Sequence, residues 1–245
     1  MNPSIRVCHD HESLSHQAVE LILSAVAEKA DLLLCAAGGS TPLRTYQLLA
    51  QHRARTPQRF DSMRVVKLDE WGGLAMDDPC TCEHQLRTLL VNPLGISEDR
   101  YLGFNSCATE PKAECEKMRT RLLTEGPIDY CVLGLGLNGH IAMNEPAESL
   151  KPAAHVARLT SATLAHPMLD KCHSKPTFGL TLGMDEILAS REILLLVSGA
   201  SKREPLQKLL QREISTHFPA SFLWLHPNWI VLCEREAVAS LNLEL

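Results

Sequence analysis

The chain has 245 residues, a formal net charge of -5 and nine cysteines. That length supports one sizeable core in a single domain, residues 1–245, and a mildly acidic chain without a basic block offers nucleic acid or an anionic membrane surface no electrostatic hold. No apolar run reaches membrane-spanning length, no basic-then-apolar signal opens the chain, and cysteines scattered through apolar runs (Cys35, Cys131, Cys233) read as reduced, buried thiols of a cytoplasmic protein.

Residues 5–8 read as the first strand. Asp10 and Ser13 supply cap chemistry for a helix over residues 14–29, where Val19, Leu21, Ile22, Leu23, Val26 and Ala27 make one apolar face. The run Asp31-Leu32-Leu33-Leu34-Cys35-Ala36-Ala37 is apolar on both faces, as in a parallel strand covered from both sides. It ends in Gly38-Gly39-Ser40-Thr41-Pro42 and the helical pattern Leu43, Tyr46, Leu48, Leu49, with proline in the first turn. The free N–H groups of such a turn, with two hydroxyls, form an anion cradle. Its spelling lacks the GK[ST] ending of a nucleotide loop and the spacing of a dinucleotide fingerprint, so a small sugar phosphate is the ligand it suggests. An ordinary capped strand-to-helix turn is the alternative.

Residues 51–61 are polar and read as a surface connection. Residues 64–68 form the next strand, ending in Asp69-Glu70-Trp71. Side chains alternate along a strand, so one of Asp69 and Glu70 faces the crevice beyond the strand ends and the other faces structure. Residues 72–82 read as loop, 83–91 as a short helix stopped near Pro93, 99–104 as an edge strand and 110–125 as a helix capped by Thr109. Cys80 and Cys82 form a lone C-x-C, short of the ligands a zinc site requires.

The strand at 129–135 opens into Gly134-Leu135-Gly136-Leu137-Asn138-Gly139-His140-Ile141-Ala142-Met143-Asn144-Glu145-Pro146. Three glycines in six residues let backbone approach a ligand closely, and a His with a Glu five residues later is acid–base equipment. Residues 155–159 are a short strand, 160–177 are aperiodic, 178–184 are extended and 184–190 form a short helix. Glu192-Ile193-Leu194-Leu195-Leu196-Val197 is the clearest central strand, ending at Ser198-Gly199-Ala200-Ser201-Lys202. A lysine there opposes the helix dipole, which a bound anion explains better than stability does. Residues 207–211 continue that helix, 220–225 gather aromatics and 229–233 form the last strand. The alternation predicts an α/β fold, a three-layer sandwich with a largely parallel, Rossmann-like sheet.

Four strand ends thus carry polar equipment: GGSTP, LDEW, GLGLNGHIAMNEP and SGASK. Their order and spacing resemble the hexosamine-6-phosphate deaminase/isomerase family, related to the 6-phosphogluconolactonases, over nearly the whole chain. GHIAMNEP is the specific match. Its Glu145 points to the deaminase branch, while the GGSTP spelling is also lactonase-like. VKLDEW, with Trp71 where glucosamine-specific enzymes usually show Tyr, and PASFLWLHPNWI are most similar to the galactosamine-6-phosphate deaminase/isomerase subgroup.

The resemblance implies roles. Asp69 is the base that moves a proton from C2 to C1 of the open-chain amino sugar. His140 opens the pyranose ring, and Glu145 supports its imidazole. Gly38, Gly39, Ser40 and Thr41 hold the phosphate, with Lys202 as its cation. Ammonia leaves after water attacks C2, and neither metal nor organic cofactor is needed. Two departures stand out: Asn138 replaces an Asp common in relatives, and Ala165-His166-Pro167-Met168-Leu169 lacks a phosphate-binding Arg, for which Arg158, Lys171 and Lys175 are the candidate substitutes. In the family this segment behaves as a lid, and its lack of periodicity fits that role. Glucosamine 6-phosphate as substrate, a lactone hydrolase with His140 as base for water, and a non-catalytic sugar-phosphate sensor remain the alternatives. Oligomeric state and allosteric control are not legible in the chain.

Overall fold

The computed structural model describes residues 3–164 and 167–239. Strand β1 (Ser4–Cys8) leads into α1 (His11–Glu28), closed by a reciprocal capping box: the Ser13 N–H donates to Asp10 Oδ1 (2.8 Å) and the Asp10 N–H to Ser13 Oγ (3.0 Å). Next come β2 (Leu33–Ala36), α2 (Ser40–Arg55), β3 (Arg64–Lys67), β4 (Asp69–Gly72) and α3 (Cys82–Leu86). They are followed by β5 (Tyr101–Leu102), α4 (Pro111–Glu125), β6 (Tyr130–Gly134), β7 (His155–Ala157) and α5 (Ser161–Leu164). The chain continues with β8 (Phe178–Thr181), α6 (Met184–Leu188), β9 (Glu192–Val197), α7 (Arg203–Leu210), β10 (Trp229–Glu234) and α8 (Arg235–Val238).

The main sheet has the order β1-β10-β9-β6-β2-β3-β5, with every pairing parallel. From β2 the chain steps outward through β3 to β5. From β6 it steps the other way, through β9 to β10. The adjoining strands β2 and β6 therefore form the switch point, and a ligand crevice opens beyond their C-terminal ends.

Strand alternation explains the two-sided apolar runs. Leu34, Ala36, Val132, Leu194 and Leu196 pack with Leu14, Ile22, Tyr46 and Leu49 of α1 and α2. Leu33, Cys35, Leu133, Leu195 and Val231 pack on the opposite face with Met118 of α4, Leu206 of α7 and Leu180 of β8. Each buried aliphatic side chain contributes about 1.5–3 kcal/mol of transfer free energy. This is the predicted three-layer α/β sandwich.

Several local expectations are corrected. The strand at 64–68 does not simply end at Asp69. The Leu68 N–H donates to Ala36 O (3.0 Å) and Leu68 O accepts from the Leu182 N–H (3.0 Å), so the chain crosses into a second sheet, order β4-β8-β7, that is antiparallel. Residues 51–61 are not a loose surface connection: α2 runs to Arg55, and the 3-10 turn Pro57–Phe60 buries Phe60. Their polar residues cover the outer face of the helix. Glu110, not Thr109, precedes the first turn of α4, with Pro111 inside it.

The cysteines are also not all thiols. Cys80 and Cys172 are joined as a disulfide across 92 residues of chain, a separation that local spacing does not signal. The other seven are free, and of these only Cys107 is exposed. Among the described residues, no helix is long and apolar enough to cross a membrane.

Candidate active site

Two alike turns flank β6 at the C-terminal edge of the sheet. Gly39 (φ 88°) follows β2 and Gly199 (φ 89°) follows β9. A Cβ on either would meet nothing within 4 Å, so the left-handed backbone, not crowding, requires glycine. The Gly39 N–H donates to Gln85 Oε1 (2.8 Å). Across β6, the Gly199 N–H and the Ser198 hydroxyl donate to the two oxygens of buried Glu234 (2.9 and 2.8 Å). α2 begins at Ser40 and Thr41 without a side-chain cap, which leaves its first N–H groups for an anion. Lys202 is half-buried, its ammonium pKa is lowered by burial, and no carboxylate pairs with it among the described residues.

Between these turns β6 opens into the His140 loop. The Gly136 N–H donates to His140 O (2.9 Å), and a Cβ on Gly136 would sit 2.4 Å from His140 Nδ1, so the imidazole lies directly against bare backbone. Asn138 bridges the ring to Glu145. Its amide nitrogen donates to Glu145 Oε2 (2.7 Å), and its Oδ1 lies 2.7 Å from His140 Nδ1. A carboxylate only accepts, so the NH2 must face Glu145 and the carbonyl must face the ring. Nδ1 is then the ring nitrogen that donates to Asn138 Oδ1. Glu145 Oε1 lies 3.7 Å from Nδ1, within ion-pair reach, and accepts from the Thr163 hydroxyl. The hydrogen-bond chain from Glu145 to the ring runs through the Asn138 amide, while the carboxylate charge acts on the imidazole across that 3.7 Å.

Asp69 opens β4 opposite Thr181 of β8, and Thr181 Oγ1 accepts from the Met143 N–H (3.2 Å). β8 thus pairs with the strand that opens on Asp69 and holds the loop that follows His140. The Asp69 carboxyl is pushed up to about 7, first by burial and then by the charge of Glu70, against weaker opposing pulls from Cys82 and Lys67. Glu70 faces the interior, as alternation requires. Its Oε2 accepts from Lys67 Nζ (2.6 Å), and its Oε1 accepts from the N–H groups of Trp71 and Cys82 (2.7 and 2.9 Å). Glu83 Oε2 takes a second hydrogen bond from Lys67 (2.6 Å) and one from the Tyr101 hydroxyl (2.8 Å). Burial alone would lower the Lys67 pKa; the charges of Glu70 and Glu83 reverse that and raise it. Asp69 is therefore the residue of the acidic pair that faces the crevice.

The structure brings Asn138, His140 and Glu145 into direct contact, and links Asp69 to the Gly38-Gly39 turn through α3. Ser40 and Thr41 start the neighbouring helix, and Lys202 stands on the far side of β6. Sequence reasoning did not reach Thr163, Cys82, Gln85 or the Lys67–Glu83 pair. Only Lys67 carried a signal, as a lysine inside an apolar strand. Arg158 and Lys175 are exposed, and among the described residues neither bonds to a site residue. Ala165, His166 and the Lys171 side chain lie outside the described residues.

Residues 10–231 match the family described as glucosamine-6-phosphate isomerases/6-phosphogluconolactonase. The chain is 40% identical over 229 residues to an Escherichia coli K12 protein named "Putative deaminase AgaI", covering 94% of this chain and 91% of that one. It is 36% identical over 237 residues to glucosamine-6-phosphate deaminase 1 of Bacillus subtilis, covering 95% and 97%. A solved monomeric glucosamine-6-phosphate deaminase of the NagB superfamily superposes with a TM-score of 0.89 at 36% identity, over 96% of this chain and 98% of that one. A 6-phosphogluconolactonase from Leishmania guyanensis, 20% identical over 98% and 99% of the two chains, shares the fold with a TM-score of 0.81. The chain belongs to the family of glucosamine-6-phosphate isomerases and 6-phosphogluconolactonases, and the relatives it matches at 36–40% identity are named as deaminases.

Proposed function

We propose that the chain is a hexosamine-6-phosphate deaminase/isomerase that converts galactosamine 6-phosphate to tagatose 6-phosphate and ammonia. The observation that carries this reading is that β8 ties together two acid–base elements in unlike surroundings: it pairs with the strand that opens on Asp69, a carboxyl pushed to about 7, and its Thr181 holds the loop of His140 at Met143, with the His140 ring against Asn138. The phosphate sits over Gly38, Gly39, Ser40 and Thr41, with Lys202 supplying positive charge. His140 Nε2 takes the proton of the O1 hydroxyl and returns one to the ring oxygen, which opens the pyranose. Asp69 then removes the proton at C2, giving the enolamine, and delivers it to C1. The resulting C2 iminium adds water, the C2–N bond breaks, and ammonia and the ketose phosphate leave. One water is consumed and no electrons are exchanged with any other molecule. Positioned proton transfer of this kind contributes about 10²–10⁴-fold.

The galactosamine preference rests on the VKLDEW and PASFLWLHPNWI stretches. Trp71 is buried beside Cys82 and Met143, so it shapes the wall next to Asp69 from behind. Glucosamine 6-phosphate, giving fructose 6-phosphate, is the second reading, favoured by the relatives named for it. The two substrates differ only at the C4 hydroxyl. An ammonia-release assay with both hexosamine 6-phosphates, alongside acid release from 6-phosphogluconolactone, tests the proposal. Faster turnover of the galactosamine ester is expected. Ammonia from neither ester, with acid from the lactone, would replace it by the hydrolase reading, and binding without any turnover by the sensor reading.

A further inference from the structure

Cys82 is the first residue of α3 and is buried. Its Sγ lies 3.7 Å from Asp69 Oδ1, and among the described residues it is the one side chain that donates to that carboxyl. The thiol has little freedom. Its backbone N–H is held by Glu70 Oε1 (2.9 Å), and Thr81 caps the helix through the His84 N–H (3.0 Å). A Cβ on Gly38 would approach Sγ to 2.7 Å, so the sulfur presses on the turn that begins the anion cradle. One helical turn on, Gln85 holds the Gly39 N–H. α3 thus braces the cradle and the base together, with the Cys82 sulfur wedged between them.

We propose that Cys82 is a positioning residue for the Asp69 carboxylate: its S–H holds Oδ1 and leaves the other oxygen to face the sugar. This rests on the reading of Asp69 as the base. A thiol suits the task because it is a weak donor. It orients the carboxylate without the strong hydrogen bond that would stabilise the anion and make it a poor base. Burial raises the Cys82 thiol well above its ordinary value, so it keeps its proton while Asp69 ionises. The other titratable groups facing Asp69 are Glu70, whose charge is offset by Lys67, the Cys35 thiol from β2 and the Tyr46 hydroxyl from α2, which is engaged with Ala37 O.

The test compares Cys82→Ala and Cys82→Ser with the wild type by carboxyl NMR titration of Asp69 and by steady-state kinetics. Loss of the donor in Cys82→Ala should move the Asp69 midpoint to higher pH and lower kcat about three- to tenfold, with KM within about twofold. Cys82→Ser, which keeps a donor, should return the midpoint to the wild-type value or below it. An Asp69 midpoint that stays put or falls in Cys82→Ala, or a kinetic loss confined to KM, overturns the proposal. Should Cys82→Ala fail to fold, a rise of the midpoint in Cys82→Ser overturns it equally. The titration needs no turnover. A wild type that releases ammonia from neither hexosamine phosphate therefore defeats the proposed function, while the Cys82 contact is still decided.

Discussion

Replacing Asp69 by Asn should abolish turnover and yet stabilise the protein, by an amount that grows from acid to alkaline pH. The folded state holds this carboxyl at about 7 against an ordinary 3.8. At ~1.4 kcal/mol per pH unit, the ionised form costs the fold at most ~4.5 kcal/mol. Asp69 sits at a partly open sheet edge, so solvent reduces the cost to about 2–3 kcal/mol. The sign follows from the raised value. Between pH 4 and 7 the folded chain binds more protons than the unfolded chain, so the cost is absent below about 4, grows as pH rises and is complete above about 7. Asn cannot ionise and escapes it. Thermal melts of the wild type and Asp69→Asn, followed by circular dichroism from pH 4 to 8.5, should converge at the acid end and separate by roughly 4–12 °C at the alkaline end. Phosphosugar binding should survive in the variant. A variant no more stable than wild type at pH 8.5, or equally stabilised at every pH, would refute the argument that desolvation sets this carboxyl's behaviour. Normal turnover would refute its role as base.

Other outcomes follow from the same geometry. In the wild type, kcat/KM should rise with pH through about 7 as Asp69 ionises, and a profile flat from pH 5.5 to 8 would count against it. His140→Gln should lose most activity on the cyclic sugar and recover part of it on an acyclic analogue blocked at O5; equal losses on both would remove the ring-opening role. Lys67→Met leaves Glu70 and Glu83 buried without their cation and should cost about 3–5 kcal/mol in chemical denaturation. Thiol titration of the unreduced, denatured chain should count seven free cysteines, and nine after reduction; nine in both would show that Cys80 and Cys172 are not joined.

The strands of the main sheet and their largely parallel character were legible from local signals, while their order was not. Two-sided apolar runs such as residues 31–37 and 192–197 mark covered parallel strands, and glycines mark where those strands stop. The Asp10–Ser13 cap was legible for the same reason, since its partners are three residues apart. The second sheet was not. β4 pairs with β8 across more than a hundred residues, and nothing within Asp69-Glu70-Trp71-Gly72 separates a new strand from the end of the old one. Alternation did foresee that Asp69 and Glu70 face opposite ways, but the cation that holds Glu70 had to be found in space. Thr163, Gln85 and Cys82 are ordinary residues in the sequence. Their importance comes from what the fold brings near them, which no spacing rule encodes.

The two acid–base groups have different tasks, and their surroundings differ accordingly. His140 exchanges protons among oxygens of the sugar, and its side chain is 30% exposed beside an amide that fixes one ring nitrogen. Such a group gains from contact with solvent, because the protons it moves are interchangeable. Asp69 has the opposite requirement. The proton it lifts from C2 must still be present when C1 becomes the acceptor, and water in contact with the carboxyl would exchange it away. The side chain that touches it is a thiol, a neutral phenol stands farther off, and the balancing charges of Glu70 and Lys67 act on it from nearby. Burial raises this carboxyl to about 7, and its partly open place at the sheet edge leaves one side for the sugar, which on binding would displace the water there. An Asp at position 138 would add a negative charge beside His140 and hold a proton on the imidazole. Asn138 fixes the ring through a neutral amide, which in the proposed reaction suits a ring that must accept the proton that begins ring opening.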